Sequence, residues 1–204
     1  MKALLLNCSP HINGSTNRAL QEIAVVLKQE NIACEFYQIP LEPLQSCMGC
    51  GSCRDLEEKC IIEDCVNEIL TKMKSADALV VGSPVHFAGI SGAGKIVLDR
   101  MFYCNRSAFK GKVFAGVVIA RRAGTTAALE QLNKYPLIAN MYLVGSQYWQ
   151  MVFGHNAKEL EEDKEGLQNM RTLAANLAWL TKLLSENKRP EKTPESPQRT
   201  NFIR

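Results

Sequence analysis

Long hydrophobic runs are missing from this sequence of 204 residues. No stretch approaches the roughly 18 apolar residues that a membrane-spanning helix needs. The pattern of a secretory signal, a short basic segment followed by an apolar core, is also missing from the start. Both absences predict a cytoplasmic protein without a membrane partner. In that reducing compartment, the eight cysteines favour metal, cluster or redox sites over disulfides.

An excess of positive charge is missing from most of the chain. The 24 basic and 21 acidic residues give a net charge of +3, and residues 187–204 alone hold five of the basic and two of the acidic ones. The rest of the chain is neutral, which argues against a nucleic-acid partner. The terminal segment also has three prolines and no apolar periodicity. We therefore predict a folded domain over residues 1–186 and a basic, disordered tail over residues 187–204.

What the chain does contain is an alternation of short apolar runs with helical periods. Residues 3–6 and 78–81 are apolar throughout, as expected of strands that are buried on both faces. Five strands are predicted at 3–6, 33–39, 78–81, 113–120 and 141–144, and helices at 15–29, 66–73, 93–103, 125–137 and 158–184. This alternation predicts an α/β fold with a doubly wound, five-stranded parallel sheet. Ligands of such sheets bind beyond the carboxyl ends of the strands, here near residues 7–17, 82–92, 120–125 and 145–155.

The loop at residues 7–17 reads Asn-Cys-Ser-Pro-His-Ile-Asn-Gly-Ser-Thr-Asn and joins the first strand to the first helix. The first backbone N–H groups of a helix have no internal partners, and its dipole favours negative charge there. Hydroxyls of Ser9, Ser15 and Thr16 add donors, so the loop predicts a phosphate site. Residues 89–95 have the spacing of a P-loop, but Ile96 follows in place of the Ser or Thr that binds Mg²⁺. We therefore do not expect hydrolysis of a nucleoside triphosphate.

Two further segments follow predicted strands. Pro84 fixes the backbone of residues 82–89, so the peptide groups around His86 are expected to form a wall for a flat ligand; the alternative is a turn that only ends the strand. Arg121 and Arg122 follow the fourth strand. They either face an anionic or electron-rich ligand or form a solvated edge.

The cysteines form the most specific motif. Cys47, Cys50 and Cys53 have the spacing C-x₂-C-x₂-C, and Cys60 follows seven residues later. Bacterial ferredoxins use a similar run to bind a [4Fe–4S] cluster. Two alternatives stay open, which are a zinc site and a cysteine-rich loop without metal. The other cysteines are interpreted as a nearby spare, Cys65, and as small core residues, Cys8, Cys34 and Cys104.

Taken together, residues 9–17, residues 82–87 and the pattern Lys95…Asp99-Arg100 resemble the NADPH-dependent FMN reductase family of flavodoxin-like proteins. The four-cysteine motif narrows the resemblance to iron–sulfur flavoproteins. The resemblance implies the flavodoxin-like strand order 2-1-3-4-5. It also implies three groups of FMN-binding residues: Ser9, His11, Asn13, Ser15, Thr16 and Asn17 near the phosphate; Ser83, Pro84, Val85, His86 and Phe87 along the flavin ring; and Ala120, Arg121, Arg122 and Gly124 at its other edge.

The activity implied by the resemblance is that of an FMN-dependent oxidoreductase. Electrons would come from NAD(P)H or a ferredoxin-like donor and reach a small acceptor such as a quinone or a flavin. A [4Fe–4S] cluster on Cys47, Cys50, Cys53 and Cys60 would take part, within a homodimer or homotetramer. The catalytic candidates, for tuning the ring or meeting substrate, are His86, Arg121 and Arg122. Two alternatives stay open: a non-enzymatic electron carrier or redox sensor, and a cluster-free quinone, azo or flavin reductase.

Overall fold

The structure is a computed structural model that describes residues 1–56 and 59–187, together with residues 195, 196, 198 and 200. Apart from Asn187 and those four positions, the predicted disordered tail lies outside the described residues. The proposed domain boundary therefore stays a prediction. Within the described part of the chain, no helix is both long and apolar enough to cross a membrane.

Strands and helices alternate along the chain as the sequence predicts. Short 3₁₀ turns occur at Ser52–Arg54 and Ser107–Phe109. The order is β1 (Lys2–Asn7), α1 (Ser15–Gln29), β2 (Ala33–Gln38), α2 (Cys65–Ser75), β3 (Ala78–His86), β4 (Gly89–Ile90), α3 (Gly92–Cys104), β5 (Val113–Ala120), α4 (Thr125–Ile138), β6 (Tyr142–Leu143), β7 (Met151–Phe153), α5 (Ala157–Leu160) and α6 (Lys164–Glu186).

The main sheet has the order β2-β1-β3-β5-β6, and all its neighbours are parallel. Side chains of β1 point alternately to two cores. Leu4 and Leu6 pack with α2, α3 and α4 on one face, whereas Ala3 and Leu5 pack with α1 and α6 on the other. The predicted doubly wound fold and its strand order are therefore confirmed, since β5 and β6 stand where the fourth and fifth strands were expected.

The segment 82–92, which the sequence predicts as a loop, is mostly strand. β3 continues through Pro84 to His86 and turns back at Phe87 and Ala88 into the antiparallel strand β4. Both turn residues have positive φ, 50° and 60°. This is the arrangement of the two-residue turns that match the twist of a hairpin. The sequence conceals it because such turns usually carry Asn-Gly or Asp-Gly.

The fifth strand predicted at 141–144 is β6, the loop predicted at 145–155 contains a further strand, β7, and the predicted last helix is divided. β6 pairs with the start of β5, the chain then leaves the sheet, and β7 pairs with the end of β5. The helix predicted at 158–184 is interrupted at Asp163, whose carboxylate accepts hydrogen bonds from the backbone N–H of Gly166 at 2.8 Å and of Phe153 at 2.7 Å. Asp163 therefore starts α6 and fixes it to β7.

Gly166 provides a test of this junction. A Cβ at residue 166 would overlap Asp163 Oδ2 and lie 2.8 Å from Val152 Cγ1. We expect Gly166→Ala to lower the free energy of unfolding by about 1–3 kcal/mol, although Ala in a helix normally stabilises by up to ~1 kcal/mol. The control is Gly92→Ala in the first turn of α3, where a Cβ meets nothing within 4 Å. Urea unfolding should show that only Gly166→Ala destabilises; equal effects would contradict the packing.

Candidate functional site

A groove of about 780 Å³ opens at the carboxyl edge of the sheet. Four segments line it: residues 9–16 after β1, 84–86 at the end of β3, 119–121 at the end of β5, and 154–157 after β7. The groove brings together ten of the residues predicted for the cofactor site, which are Ser9, His11, Asn13, Ser15, Thr16, Pro84, Val85, His86, Ala120 and Arg121.

One end of the groove is the N-terminus of α1. Ser9 N–H donates to Asn7 Oδ1 at 3.0 Å, and His11 N–H donates to Ser9 Oγ at 3.1 Å, so the loop folds back on itself before the helix. Gly14 occupies the N-cap position of α1, where it provides no side-chain cap. The first N–H groups of α1 thus keep their capacity to bind an anion, and the buried Ser15 and Thr16 stand in the same turn.

The opposite wall is the hairpin of β3 and β4. Pro84 and Val85 are half-buried and His86 is exposed, so backbone and imidazole both reach the groove. The hairpin packs against Gly124, which has a φ of 88° and where a Cβ would lie 2.9 Å from Ala88 Cα. Gly124 therefore acts in the packing of the wall and does not itself line the groove.

Four other residues predicted for the site lie away from these walls. Asn17 faces a separate groove between α1 and β2, and Ser83 is fully buried within β3. Phe87 stands fully exposed at the tip of the hairpin. Arg122 is exposed on the turn after β5, next to Arg121, which does line the groove.

The segment 154–157 lines the groove, although none of its residues was predicted from the sequence to bind the cofactor. Ser15 Oγ donates to the carbonyl of Gly154 at 3.4 Å, which joins this segment to α1. Asn156 caps α5 by accepting from the N–H of Glu159 at 2.9 Å. The sequence places the loop 145–155 at this edge of the sheet. It does not place residues 156 and 157 there, because α5 was predicted as the start of one long helix at 158–184.

The four motif cysteines line one small pocket of about 20 Å³. Gly49 and Gly51 have positive φ, 66° and 77°, which favours glycine at both turns. In the arrangement shown, the described residues include no group of three or more His, Cys, Asp or Glu close enough together to hold a metal ion. The donor set nonetheless suits a thiolate-bound centre, because the four cysteines line one pocket and Gly49 and Gly51 turn the chain tightly between the first three of them.

The thiols differ in their environment. Hydrogen bonding to the hydroxyl and N–H of Ser52 holds the pKa of the exposed Cys50 below its usual value. Burial raises the pKa of Cys65 to about 11 and that of Cys8 to about 12. Because the thiolate is the metal ligand and the nucleophile, the exposed thiol of Cys50 is better suited to that role than the two buried ones.

The cysteines outside the motif follow the sequence interpretation in part. Cys8 is buried in the core on the side of α2, α3 and α4, as expected, and Cys34 lies half-buried against the core on the opposite face of the sheet. Cys104 was interpreted as a core residue, but at the end of α3 it lies half-buried and lines the pocket of the four motif cysteines. The reason is tertiary, since α3 packs against α2 and brings its last turn to the loop.

Sequence comparison identifies the family. A sequence profile of the NADPH-dependent FMN reductases matches residues 1–156. The chain belongs to the NADPH-dependent FMN reductase family. Its relatives include an iron–sulfur flavoprotein of Methanocaldococcus jannaschii, 32% identical over 196 residues that cover 91% of this chain and 100% of that protein. An iron–sulfur flavoprotein of Methanosarcina thermophila is 27% identical over 192 residues, which cover 92% and 99% of the two chains.

Solved structures agree on the fold of this FMN reductase family member. RosB, solved with the bound intermediate OHC-RP, has a TM-score of 0.75 at 16% identity and covers 99% of this chain and 92% of its own. A flavodoxin from the domain Archaea has a TM-score of 0.60 at 16% identity, covering 89% and 99%. The predicted family and flavodoxin-like fold are confirmed, and the chain is an FMN-dependent flavoprotein of an oxidoreductase family.

The end of the groove at α1 makes a prediction for FMN binding. Asn13→Asp places a negative charge just before α1. This charge stabilises the helix through its interaction with the helix dipole, but it repels a bound phosphate. We expect FMN to bind about tenfold more weakly. Asn17→Asp, which faces the other groove, is the control and should change affinity by about twofold or less. Titration of the apoprotein with FMN, followed by flavin fluorescence, measures both; an equal or larger loss in Asn17→Asp would contradict this placement.

Proposed function

We propose that this flavoprotein passes electrons from NAD(P)H or a ferredoxin-like donor to a small acceptor such as a quinone or a free flavin. The observation that supports the proposal is the groove itself. One end presents the unpartnered N–H groups of α1, which suit a phosphate, and the other presents strand backbone, which suits a flat ring. The cytoplasmic location that the sequence predicts, and the homodimer or homotetramer that the family resemblance implies, form part of this proposal.

The chain's own residues would bind and orient the cofactor. The first turn of α1, with Ser15 and Thr16, would hold the FMN phosphate, and the backbone of residues 84–86 would line the ring. Bound FMN supplies hydride and single-electron chemistry. His86 and Arg121 are exposed in the groove. The imidazole of His86 can donate or accept a hydrogen bond, and the fixed charge of Arg121 suits an anionic donor or acceptor.

We also propose that Cys47, Cys50, Cys53 and Cys60 hold a [4Fe–4S] cluster, which supplies one-electron transfer. Support comes from the four thiols around one pocket, from their ferredoxin-like spacing, and from the names of the relatives, which are iron–sulfur flavoproteins. Zinc bound by the same thiols is the competing assignment.

Cysteine replacement tests the cluster. Protein purified under anaerobic conditions should contain about four iron and four sulfide per chain in addition to FMN. Cys50→Ala should lose iron and sulfide but keep FMN, because Cys50 lies outside the groove. Cys34→Ala removes a thiol of β2 and serves as the control, with iron unchanged. Metal analysis and the visible spectrum give the counts, and wild-type protein with zinc or without iron would refute the cluster.

Steady-state kinetics test the enzyme against the carrier. NADH or NADPH should support multiple turnovers with a quinone or free FMN as acceptor, because the groove is open to small molecules beside His86. Anaerobic mixing, followed by the loss of the visible absorbance of the oxidised flavin, reports reduction of the bound cofactor. If only a reduced ferredoxin-like protein reduces the flavin, the nicotinamide-dependent activity is excluded and an electron carrier is favoured.

A further inference from the structure

Arg100 of α3 reaches into the wall of the cysteine pocket. Its side chain is fully buried, with 0% exposed. One guanidinium nitrogen, Nη2, donates to Cys60 Sγ at 3.3 Å and to Asp64 Oδ1 at 3.0 Å. The guanidinium also bonds the carbonyls of Ile62, at 3.1 Å, and Gln45, at 3.3 Å. Arg100 therefore joins the chain just before the cysteine motif to the chain just after it.

The charge of Arg100 is as notable as its contacts. A guanidinium stays protonated in proteins, and burying it is costly unless it is paired. Asp64 Oδ2 completes an ion pair with Nη1, and the same carboxylate caps α2 by accepting from Val66 N–H at 3.0 Å. Asp64 is therefore held by both Arg100 and the first turn of α2, and the guanidinium keeps its positive charge in contact with Cys60.

One donor of Arg100 is left over. Its Nε is buried and has no hydrogen-bond partner among the described residues. A buried donor without a partner is unfavourable, and such groups are uncommon in folded proteins. The spare donor lies on a residue that lines the pocket of the four cysteines.

We propose that Arg100 is a positioning residue for the cluster on Cys47, Cys50, Cys53 and Cys60, and that it raises the cluster's reduction potential. The hydrogen bond to Cys60 Sγ and the fixed positive charge both favour the more negative, reduced cluster. Net charge and hydrogen bonds to sulfur are the means by which proteins set such potentials. Asp64 acts in the opposite direction through its charge. The inference rests on the proposed function, since it needs the cluster to be present.

Two substitutions that remove opposite charges separate the effect of charge from the effect of loop structure. Arg100→Gln removes the positive charge and should shift the reduction potential of the cluster to a more negative value. Asp64→Asn keeps an oxygen that can cap α2 and removes the negative charge, so it should shift the potential to a more positive value. Loosening of the loop alone would move both variants the same way.

The measurement is an anaerobic redox titration of the purified holoprotein, followed by electron paramagnetic resonance of the cluster, with iron and FMN counted for each variant. Shifts of opposite sign with iron retained support the proposal. Shifts of the same sign, or no shift, overturn it while leaving the cluster intact.

A variant that no longer binds iron needs a separate comparison, because its cluster potential cannot be measured. If Arg100→Gln holds no iron, Arg100→Lys decides, because it keeps the charge without the fork of donors. Iron restored by Lys supports the charge role, and iron absent from both variants overturns it in favour of a clamp. If the wild-type protein itself lacks iron, the cluster assignment fails first and the role of Arg100 fails with it.

Discussion

The close contact between α1 and β3 at Gly82 fixes the geometry on which the groove depends. A Cβ at residue 82 would lie 3.0 Å from Leu20 Cγ and 3.0 Å from Thr16 Cγ2, so only glycine lets the helix lie directly on the strand. Gly82 also pairs with Asn7 at the end of β1, and its carbonyl accepts the N–H of Cys8 at 2.8 Å. The first turn of α1 and the backbone of β3 are thus held together at one point. The distance and orientation between the anion-binding end and the flat wall of the groove are fixed because both depend on this contact.

Sequence reasoning succeeded where burial leaves a simple pattern. The runs at 3–6 and 78–81 identify central strands because a strand that is buried on both faces has no polar position to show. It failed where tertiary pairing overrides local preference. Pro84 ordinarily marks the end of a strand, yet it continues β3 opposite Ile119. The start of α6 and its attachment to β7 depend on Asp163, whose two backbone partners are thirteen residues apart and cannot be paired from sequence alone.

The sequence shows which residue types the candidate site contains, but it does not show the direction in which each side chain points. Asn17 belongs to the same short motif as Ser15 and Thr16, and the rotation of α1 on the sheet directs it to a different groove. Arg100 and Cys104 lie four residues apart on α3 and therefore share a face. That spacing could have been noticed. Their proximity to Cys60 could not, because it arises from the packing of α3 against α2 and leaves no periodic pattern in the loop between them.

The turn at Phe87 and Ala88 shows why the groove wall is rigid. Positive φ costs a residue with a Cβ about 1–2 kcal/mol, and two such residues stand in succession here. The turn persists because the hairpin has partners on both sides: Ile90 N–H donates to Gln131 Oε1 of α4 at 2.9 Å, and Ala88 packs against Gly124. These contacts hold residues 84–86 in strand geometry before any ligand binds. A wall built from a strand positions its ligand more accurately than a loop does. The strained turn therefore belongs to a wall that needs no rearrangement to receive a flat ring.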